Sequence, residues 1–468
     1  MNSLLQIHSL DNVAVALENI SKGECNAVND IPKGHKIALK NIAKGENIIK
    51  YGMPIGYAIN DINQGEHVHT HNVKTNLSGQ LEYQYTPDFT PLQIKCDRTF
   101  MGYRRPDGQV GIRNDIWIVP TVGCVNGLVR NLAKETDSIP LCHPYGCSQM
   151  GDDHEMTADL LAALVHNPNA GGILVVALGC ENNTLESFKK RLGDYSELNI
   201  RFMLAQEEND EFEKGLELIA ELKAKRIAER TEIPVSELKV GLKCGGSDGF
   251  SGLTANPLVG RFSDWICTQG GTSVLTEVPE MFGAETLLMN RCVTPEVFSK
   301  CVDMVNNFKA YYENHNQVVY ENPSPGNKAG GITTLEDKSL GCVQKGGTSP
   351  VVDVLPYGGR LSVRGLNLIT GPGNDIVACT VLAAAGCHII LFTTGRGNPM
   401  GSVVPTIKVA TNTDLATRKA NWIDYDAQAN PETEKFADYI IDVANGTQTS
   451  GEKRRDYEIA IFKDGVTL

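Results

Sequence analysis

The sequence has few features of a protein that binds nucleic acid or a membrane. Lysine and arginine number 43 against 56 aspartates and glutamates, the net charge is −13, and the longest basic run is Lys453-Arg454-Arg455. A basic surface for nucleic acid or anionic lipid is therefore not expected. No apolar run approaches a membrane span, and polar residues directly after Leu4-Leu5 argue against a signal peptide. These absences predict a cytoplasmic protein.

A disulfide framework is also not expected. The thirteen cysteines are an odd number and are scattered through 468 residues. This usage is typical of a reducing compartment, where thiols are free for burial or for metal binding. The length suffices for roughly three domains with large cores.

Residues 1–74 are predicted to form a small all-β domain. Val13, Val15 and Leu17 alternate with small or polar neighbours, as expected of a strand. Glycine at a fixed position of a repeated turn suits positive φ, so each copy predicts a chain reversal. The copies are Ile20-Ser-Lys-Gly-Glu24, Ile31-Pro-Lys-Gly-His35, Ile42-Ala-Lys-Gly-Glu46 and Ile62-Asn-Gln-Gly-Glu66.

This domain ends in His67-Val-His-Thr-His-Asn72. On a strand, His67, His69 and His71 would project from one face, which favours a metal or anion site. A solvent-facing polar strand is the alternative. Residues 75–98 contain Gly and Pro without a helical period and are predicted to be a linker.

Residues 99–233 alternate predicted strands, such as Ile116–Pro120 and Ile173–Leu178, with predicted helices, such as Glu155–Val165. This alternation predicts an α/β domain with a parallel sheet covered on both faces. Arg104, Arg105 and Arg113 lie in a Gly-rich loop before the first of these strands. They could clamp a carboxylate or phosphate, or be solvated surface arginines.

Residues 234–468 repeat the pattern, with apolar runs at 240–242, 273–275, 366–369 and 389–392. A polar or Gly-rich loop follows each run. Because ligands of open α/β sheets bind outside the carboxyl ends of the strands, these loops predict a shared site.

The stretch Val240–Pro257 is central to that prediction. After the run Val240–Leu242 come Cys244, a soft metal ligand, and Asp248, a hard one. Glycines between them would let backbone amides approach an anion. The alternative is a tight structural turn.

Residues 322–347 contain too many Gly and Pro for a core segment and are predicted to form a long functional loop. Lys328, Lys338 and Lys345 supply positive charge there, and Cys342 supplies a thiol. Ordinary surface lysines are the alternative for each cation.

Several motifs together resemble the altronate/galactarate dehydratase family of sugar-acid dehydratases. The motifs are H-V-H-T-H-N at 67–72, G-Y-x-R-x-D-G-x-x-G-x-R-N at 102–114, H-P-Y-G-C at 143–147, G-C-E-N at 179–182, C-G-G-S-D-x-x-S-G at 244–252, P-G-N-K-A-G-G-I-T-T-L-E-x-K-S-L-G-C at 325–342 and T-T-G-R-G at 393–397.

The resemblance implies an N-terminal β-clip (SAF-like) domain, a middle domain that mediates a homodimer, and a C-terminal Rossmann-like, mostly parallel sheet. The G-x-G-x-x-G fingerprint is absent from the strand-end loops of this region, so this sheet need not bind NAD. The resemblance also implies dependence on Fe2+, with Mn2+ or an iron–sulfur cluster as open alternatives.

The implied reaction is the removal of water from D-altronate to give 2-keto-3-deoxy-D-gluconate in hexuronate catabolism. The C2 proton is only weakly acidic, so a metal or fixed cations must stabilise the enediolate. Galactarate dehydration is an alternative with the same chemistry, and a non-catalytic sugar-acid-binding protein is a less favoured one.

Candidate roles follow from this chemistry. The metal ligands are sought among Cys124, Cys147, Cys180, Cys244, Cys342, Asp248, Glu277 and His143, since thiolate-rich ligation suits iron. Catalytic candidates are His69, His71 and Lys345, and substrate-binding candidates are Arg104, Arg113, Ser247 and Arg396.

Overall fold

The computed structural model describes residues 3–195, 199–320 and 322–465. It confirms a mixed α/β fold with small antiparallel sheets near the N-terminus and a large parallel sheet in the C-terminal half. No helix in the described ranges is long and apolar enough to cross a membrane.

The first region, up to residue 74, contains two small antiparallel sheets, of order β1-β2-β3-β6 and β4-β5-β7. The strands are β1 (Leu4–Leu5), β2 (Val13–Ala16), β3 (Lys36–Ala38), β4 (Asn47–Lys50), β5 (Met53–Ala58), β6 (His67–Val68) and β7 (Val73–Lys74).

The repeated turns of this region have the predicted conformation. Their four glycines, Gly23, Gly34, Gly45 and Gly65, all have φ between 85° and 96°. The isoleucines that open the repeats form two bridges, Ile20 with Ile31 and Ile42 with Ile62, and all four are buried. Each repeat therefore supplies one turn and one core side chain.

The histidine-rich segment departs from its prediction. Strand β6 covers only His67–Val68, and a turn follows in which the Asn72 amide donates to His69 O at 3.0 Å. The Asn72 side chain fixes this turn, since its Oδ1 accepts from His69 N at 2.9 Å and its Nδ2 donates to His67 O at 2.9 Å. The prediction of a strand through His71 was wrong because these local bonds replace the ladder.

Residues 75–98 contain no helix or strand, as expected of a linker, but they are bound along the third region. The Tyr83 hydroxyl donates to Glu285 at 2.5 Å and the Tyr85 hydroxyl donates to Cys292 O at 2.8 Å.

The second region contains a parallel sheet of order β11-β10-β12-β13 and a small antiparallel sheet of order β14-β8-β9. The elements are β8 (Thr99–Arg104), β9 (Val110–Gly111), β10 (Asp115–Pro120), α1 (Asn126–Thr136), β11 (Ile139–Pro140), α2 (Asp152–Val165), β12 (Ala170–Ala177), α3 (Leu185–Leu192), β13 (Ile200–Leu204), α4 (Glu211–Lys225) and β14 (Thr231–Pro234). Strand β12 is buried along its whole length, as expected of a parallel strand covered on both faces.

The third region is built on a seven-stranded parallel sheet of order β17-β18-β16-β15-β19-β20-β21. Its strands are β15 (Lys239–Cys244), β16 (Thr272–Leu275), β17 (Val351–Leu355), β18 (Gly365–Ile369), β19 (Ile389–Thr394), β20 (Thr406–Ala410) and β21 (Tyr425–Asp426). Its helices are α5 (Ala255–Thr268), α6 (Glu285–Met289), α7 (Pro295–Asn314), α8 (Pro325–Ala329), α9 (Leu335–Cys342), α10 (Asp375–Ala384), α11 (Thr413–Arg418), α12 (Thr433–Ala444) and α13 (Ser450–Arg454).

The strand order creates a crevice at the carboxyl end of this sheet. From β15 the chain proceeds to β16 on one side and later reaches β19 on the other, with parallel pairing to both. The loops that leave β15 and β19 therefore diverge, which is where ligands bind in open α/β sheets.

The segment 322–347 is not a long loop, so that prediction was wrong. It contains α8 and α9, and all eight residues of α9 are buried. The Thr334 side chain caps α9 by accepting a hydrogen bond from Asp337 N. The Gly and Pro content of this segment did not indicate that it is buried, because residues of the first region, far away in the sequence, cover it.

The first region docks on this buried segment through ion pairs. Lys36 Nζ lies 2.8 Å from Asp337 Oδ2 and Lys50 Nζ lies 2.9 Å from Asp337 Oδ1. The side chains of all three residues are at most 3% exposed. Lys36 also donates to Gly331 O at 2.7 Å, so the β-rich region covers the carboxyl end of the large sheet.

Candidate active site

Two thiols and a carboxylate form a buried group at the carboxyl end of the large sheet. Cys244 Sγ lies 2.9 Å from Glu280 Oε2, Cys342 Sγ lies 3.1 Å from the same oxygen, and the two sulfurs are 3.4 Å apart. These three residues form a group whose ligand atoms all lie within 4.8 Å of one another. Two soft donors and one hard donor suit a borderline ion such as Fe2+.

Three chain segments bring this group together. Cys244 is the last residue of β15, Glu280 ends a short helical turn after β16, and Cys342 is the last residue of α9. Strands β15 and β16 are neighbours, so their ends meet at one edge. The group is therefore a direct product of parallel pairing plus the buried helix α9.

Glu277 is hydrogen-bonded to the backbone of Cys244 and so fixes one side of this group. It adopts a left-handed conformation, with φ 70° and ψ 60°, at the start of the turn that carries Glu280. Its Oε2 accepts a hydrogen bond from Cys244 N at 2.8 Å. Such a conformation costs about 1–3 kcal/mol for a residue other than glycine and clusters at functional sites.

Three buried lysines surround the carboxylates. Lys338 Nζ lies 2.6 Å from Glu280 Oε1, Lys345 Nζ lies 3.6 Å from Glu277 Oε2, and Lys243 Nζ lies 3.2 Å from Glu277 Oε1. Lys243 also lies 2.5 Å from Asp375 Oδ1. The positive and negative charges attract one another, and this attraction offsets the free-energy cost of burying ionised groups.

The ionisation of the group follows from these contacts. Burial opposes ionisation of Glu280, but Lys338 and Lys345 outweigh it and lower its pKa to about 2. The hydrogen bond from Cys342 is the main cause that lowers the pKa of Cys244 to about 6, against the effect of burial. The same bond raises the pKa of Cys342.

The pKa values of Lys345 and Glu277 are also shifted, and these shifts limit the chemical roles of the two residues. Burial opposes the charge of Lys345, but its interactions with Cys244 and Cys342 and with the carboxylates of Glu277 and Glu280 outweigh burial. They raise the pKa of Lys345 well above its usual range, so Lys345 is a fixed cation. Burial and the neighbouring Glu280 raise the pKa of Glu277. Lys345 is therefore suited to stabilise negative charge, not to accept a proton.

Ser247 and Asp248, both predicted site residues, differ in their contacts. The Ser247 hydroxyl donates to Cys244 Sγ at 3.5 Å, which puts it against the buried group. Asp248 instead joins loops: its carboxylate accepts from Phe250 N at 3.1 Å and from the Thr411 hydroxyl at 3.1 Å.

Arg396 lies beside the loop that follows Cys244. It is exposed, and its backbone amide donates to Gly246 O at 3.1 Å, two residues after Cys244. Its Nε lies near the Gly326 position in α8. Within the described chain its guanidinium makes no hydrogen bond or ion pair. Arg396 is thus available for an anion.

The histidines of the first region cluster against the chain between α8 and α9. His35 Nδ1 and His67 Nε2 are 3.0 Å apart. The His67 ring stacks on the His69 ring with 5.7 Å between the ring centroids, and its centroid lies 5.3 Å from that of the His71 ring. His69 Nδ1 lies 3.1 Å from the Thr333 hydroxyl, just before α9. Burial and neighbouring cations lower the pKa of His67 to about 4 and that of His69 to about 3, so both rings are neutral.

Other candidates lie in the second region. Cys124, Cys147 and Cys180 are exposed on its loops. His143 is buried, with Nε2 2.9 Å from Pro120 O, and burial lowers its pKa to about 4. The Arg113 guanidinium donates to Glu452 at 2.6 Å and to nearby carbonyls, whereas Arg104 is exposed.

Sequence reasoning missed Glu280 and Lys243. Each had a signal: Glu280 is an acid flanked by the buried residues Pro279 and Met281, and Lys243 is a cation inside an apolar strand. A buried charge requires partners, so both positions could have been marked as parts of a polar centre.

Comparisons with known proteins match all three regions. Residues 235–467 match the family model described as D-galactarate/Altronate dehydratase, C-terminal. Residues 102–226 match D-galactarate dehydratase/Altronate hydrolase, second domain, and residues 2–76 match the Altronate/galactarate dehydratase SAF domain. The chain belongs to the D-galactarate/altronate dehydratase family, a class of sugar-acid dehydratases.

Three relatives within the family cover nearly the whole chain. It is 53% identical to the altronate dehydratase of Bacillus subtilis (strain 168), over 100% of both chains. It is 54% identical to the altronate dehydratase of Escherichia coli (strain K12), over 99% of both. The galactarate dehydratase (L-threo-forming) of E. coli K12 is 34% identical, over 94% of this chain and 92% of that one.

Proposed function

We propose that the protein is an altronate dehydratase, a hydro-lyase that converts D-altronate to 2-keto-3-deoxy-D-gluconate. The observation that carries this proposal is the identity of 53–54% to two altronate dehydratases over essentially the whole chain. Galactarate dehydratase is a more distant relative at 34%. The proposed role is a step of hexuronate catabolism.

Cys244, Glu280 and Cys342 would hold the divalent metal, which we propose to be Fe2+, with Mn2+ as the alternative. The donor set fits, because the two sulfurs and the shared carboxylate already converge. Three protein ligands leave coordination positions open, as in other catalytic metal sites. The bound ion would supply Lewis-acid polarisation of the reacting oxygens.

Lys345 and Lys338 would stabilise negative charge during the reaction. Removal of the C2 proton moves charge onto the substrate carboxylate as an enediolate forms. Fixed cations in a buried site stabilise such charge without reorganisation. The raised pKa of Lys345 and the 2.6 Å contact of Lys338 with Glu280 support this role.

Arg396 and Ser247 would orient the sugar acid in the crevice between α8 and the strand ends. The Arg396 guanidinium can accept a carboxylate in a bidentate contact, and it has no partner among the described residues. Ser247 contacts Cys244 and can donate to a substrate hydroxyl instead.

His69 and His71 would act on the side of the crevice that the first region covers. A neutral imidazole can accept the C2 proton, and His69 Nδ1 lies 3.1 Å from the Thr333 hydroxyl just before α9. The C3 hydroxyl would then leave as water, together with the proton that the imidazole took from C2. Tautomerisation of the resulting enol to the 2-keto acid completes the elimination.

The test is a comparison of two substrates with oxygen-free protein. The full chain is supplied with Fe(II) or Mn(II) and a thiol, and the 2-keto-3-deoxy product is measured from altronate and from galactarate. Faster turnover of altronate is expected. A preference for galactarate would reassign the substrate, and saturable binding without turnover of either acid would refute an enzymatic role.

A cytoplasmic homodimer joined through the second region remains a prediction. Light scattering of the full chain would report its mass in solution, and substitutions on the second region that dissociate it would locate the interface.

A further inference from the structure

Three Gly-Cys pairs lie at the carboxyl edge of the second region's parallel sheet. Cys124 follows β10, Cys147 follows β11, and Cys180 follows β12, and these three strands are neighbours in the order β11-β10-β12. All three thiols are exposed. The seven cysteines of the third region, by contrast, are all buried.

Backbone and amide bonds between the loops hold these pairs close together. Gly123 N donates to Tyr145 O at 2.8 Å, which joins the Cys124 loop to the Cys147 loop. Asn183 N donates to Gly146 O at 3.0 Å, and Ser148 N donates to Asn182 Oδ1 at 2.8 Å. Cys147 thus lies between two residues that are bonded to the Cys180 loop.

Buried polar side chains fix the same loops from beneath. Glu181, 3% exposed, accepts from the Thr121 hydroxyl at 2.7 Å and from Gly179 N at 2.6 Å. Asn183, 1% exposed, donates to Thr121 O at 3.2 Å. Such a scaffold orders the thiols before any ligand binds, as a metal site requires.

The glycines are required by the closeness of the loops. A Cβ at Gly146, where φ is 99°, would lie 2.0 Å from Thr121 O, and one at Gly123 would lie 2.8 Å from His143 O. Side chains at these positions would push the loops apart. Glycine before cysteine therefore allows two strand-end loops to meet while each cysteine points to solvent.

Two of the sulfurs have hydrogen-bond donors beside them. Gln206 Nε2 donates to Cys180 Sγ at 3.6 Å and the Ser148 hydroxyl donates to Cys147 Sγ at 3.9 Å. Hydrogen bonds to sulfur are a means by which proteins tune iron–sulfur clusters. Cys142, in the same loop, is half-buried and contacts Asn126 O instead.

The spacing of the thiols favours a cluster over a single ion. Tetrahedral thiolates around one ion, with bonds of about 2.3 Å, are only about 3.8 Å apart. In the described residues, only the group of Cys244, Glu280 and Cys342 has three ligand atoms within 4.8 Å of one another. Cys124, Cys147 and Cys180 do not form such a group, so they do not match a single ion. In a cluster each thiolate binds a different iron, and the sulfurs need not approach one another so closely.

We propose that Cys124, Cys147 and Cys180 bind a [4Fe–4S] cluster and leave its fourth iron to a ligand other than cysteine. This site is distinct from the buried group at Cys244. The proposal does not depend on which sugar acid the protein dehydrates.

The test uses the full chain, purified without oxygen and reconstituted with ferrous iron and sulfide. We expect roughly four acid-labile sulfides per chain, visible charge-transfer absorbance and an electron paramagnetic resonance signal after reduction. The variants Cys124→Ser, Cys147→Ser and Cys180→Ser should each lose most of the sulfide and the absorbance.

Cys142→Ser is the matched control, since it removes a thiol from the same loop that is turned to Asn126, and it should retain the cluster. Cys244→Ser should also retain it, even where turnover is lost. Absence of labile sulfide in the reconstituted protein would overturn the proposal. Full sulfide in the three variants, or a disulfide among these cysteines in place of iron, would do so as well.

Discussion

Both parallel sheets of this protein have cysteines at the carboxyl ends of their strands, but these cysteines are buried in one sheet and exposed in the other. In the third region, Cys244 ends a strand and is buried with Glu280 among lysines. In the second region, Cys124, Cys147 and Cys180 follow strand ends and are exposed.

The difference shows that strand topology determines where thiols gather and that the cover determines their chemistry. Helix α9 and the first region exclude water from Cys244, so its charge is set by fixed neighbours. In the described structure no such cover lies over the three exposed thiols. Substitutions can test whether the covered sheet end carries the reaction and depends on its buried charges.

The largest effect is expected for Cys244→Ser and Cys342→Ser. A serine hydroxyl is a poor substitute for a thiolate ligand, so metal content should fall. The second-order rate constant for altronate should drop by more than the roughly hundredfold loss that outer-shell changes cause. Cys267→Ser is the control, because this buried thiol contacts Ser273 outside the group. Unchanged turnover in Cys244→Ser would refute a ligand role.

Asp337→Asn should produce the next largest effect, on stability. The substitution would leave Lys36 and Lys50 buried without an anionic partner. Breaking a buried ion pair in this way typically lowers the free energy of unfolding by about 3–5 kcal/mol. Denaturant unfolding would measure this loss. The control Arg191→Gln removes surface pairs with Glu155 and Asp159 in the second region and should cost less than about 1 kcal/mol. An equal loss of stability in Asp337→Asn and Arg191→Gln would contradict a larger contribution from the buried charges.

Arg396→Gln should weaken substrate binding. Loss of a charged hydrogen bond costs about 1.5–3 kcal/mol, which is roughly a 10- to 100-fold rise in KM for altronate. Arg104→Gln, at an exposed arginine of the second region, should leave KM unchanged. Similar KM values for both variants would remove Arg396 from the site.

The smallest effect is a pH dependence of stability. Burial lowers the pKa of His67 to about 4 and of His69 to about 3, so each ring takes up a proton when the chain unfolds in mild acid. Stability should therefore fall as pH decreases from about 6.5, the unfolded pKa, toward 4. His69→Asn should flatten this slope and Arg191→Gln should not. An unchanged slope in His69→Asn would show that His69 does not contribute.

The sequence predicted the sheet ends well because local patterns report them. The buried strand before Cys244 and the glycine turns after Ile20 and Ile42 depend on neighbours within a few residues. The predicted site residues Cys244, Glu277 and Ser247 lie together because they lie at or shortly after the ends of neighbouring strands. Cys342 joins them through α9, which local patterns did not predict.

Contacts between distant segments were beyond the sequence. Asp337 pairs with Lys36 and Lys50, and no local pattern in α9 indicates that the first region would bury it. Helix α9 was mistaken for a loop because its glycines were weighed without that cover. The division of the cysteines between two sheets likewise depends on how the two regions fold separately.

The docking of the first region has a consequence for the order in which the protein is completed. Lys36 and Asp337 are 301 residues apart in the chain. During synthesis the N-terminal residues emerge first and domains tend to fold as units. Lys36 and Lys50 therefore remain hydrated until α9 leaves the ribosome. The crevice that needs both partners is closed only near the end of translation, so truncated chains would carry a folded first region and no working enzyme.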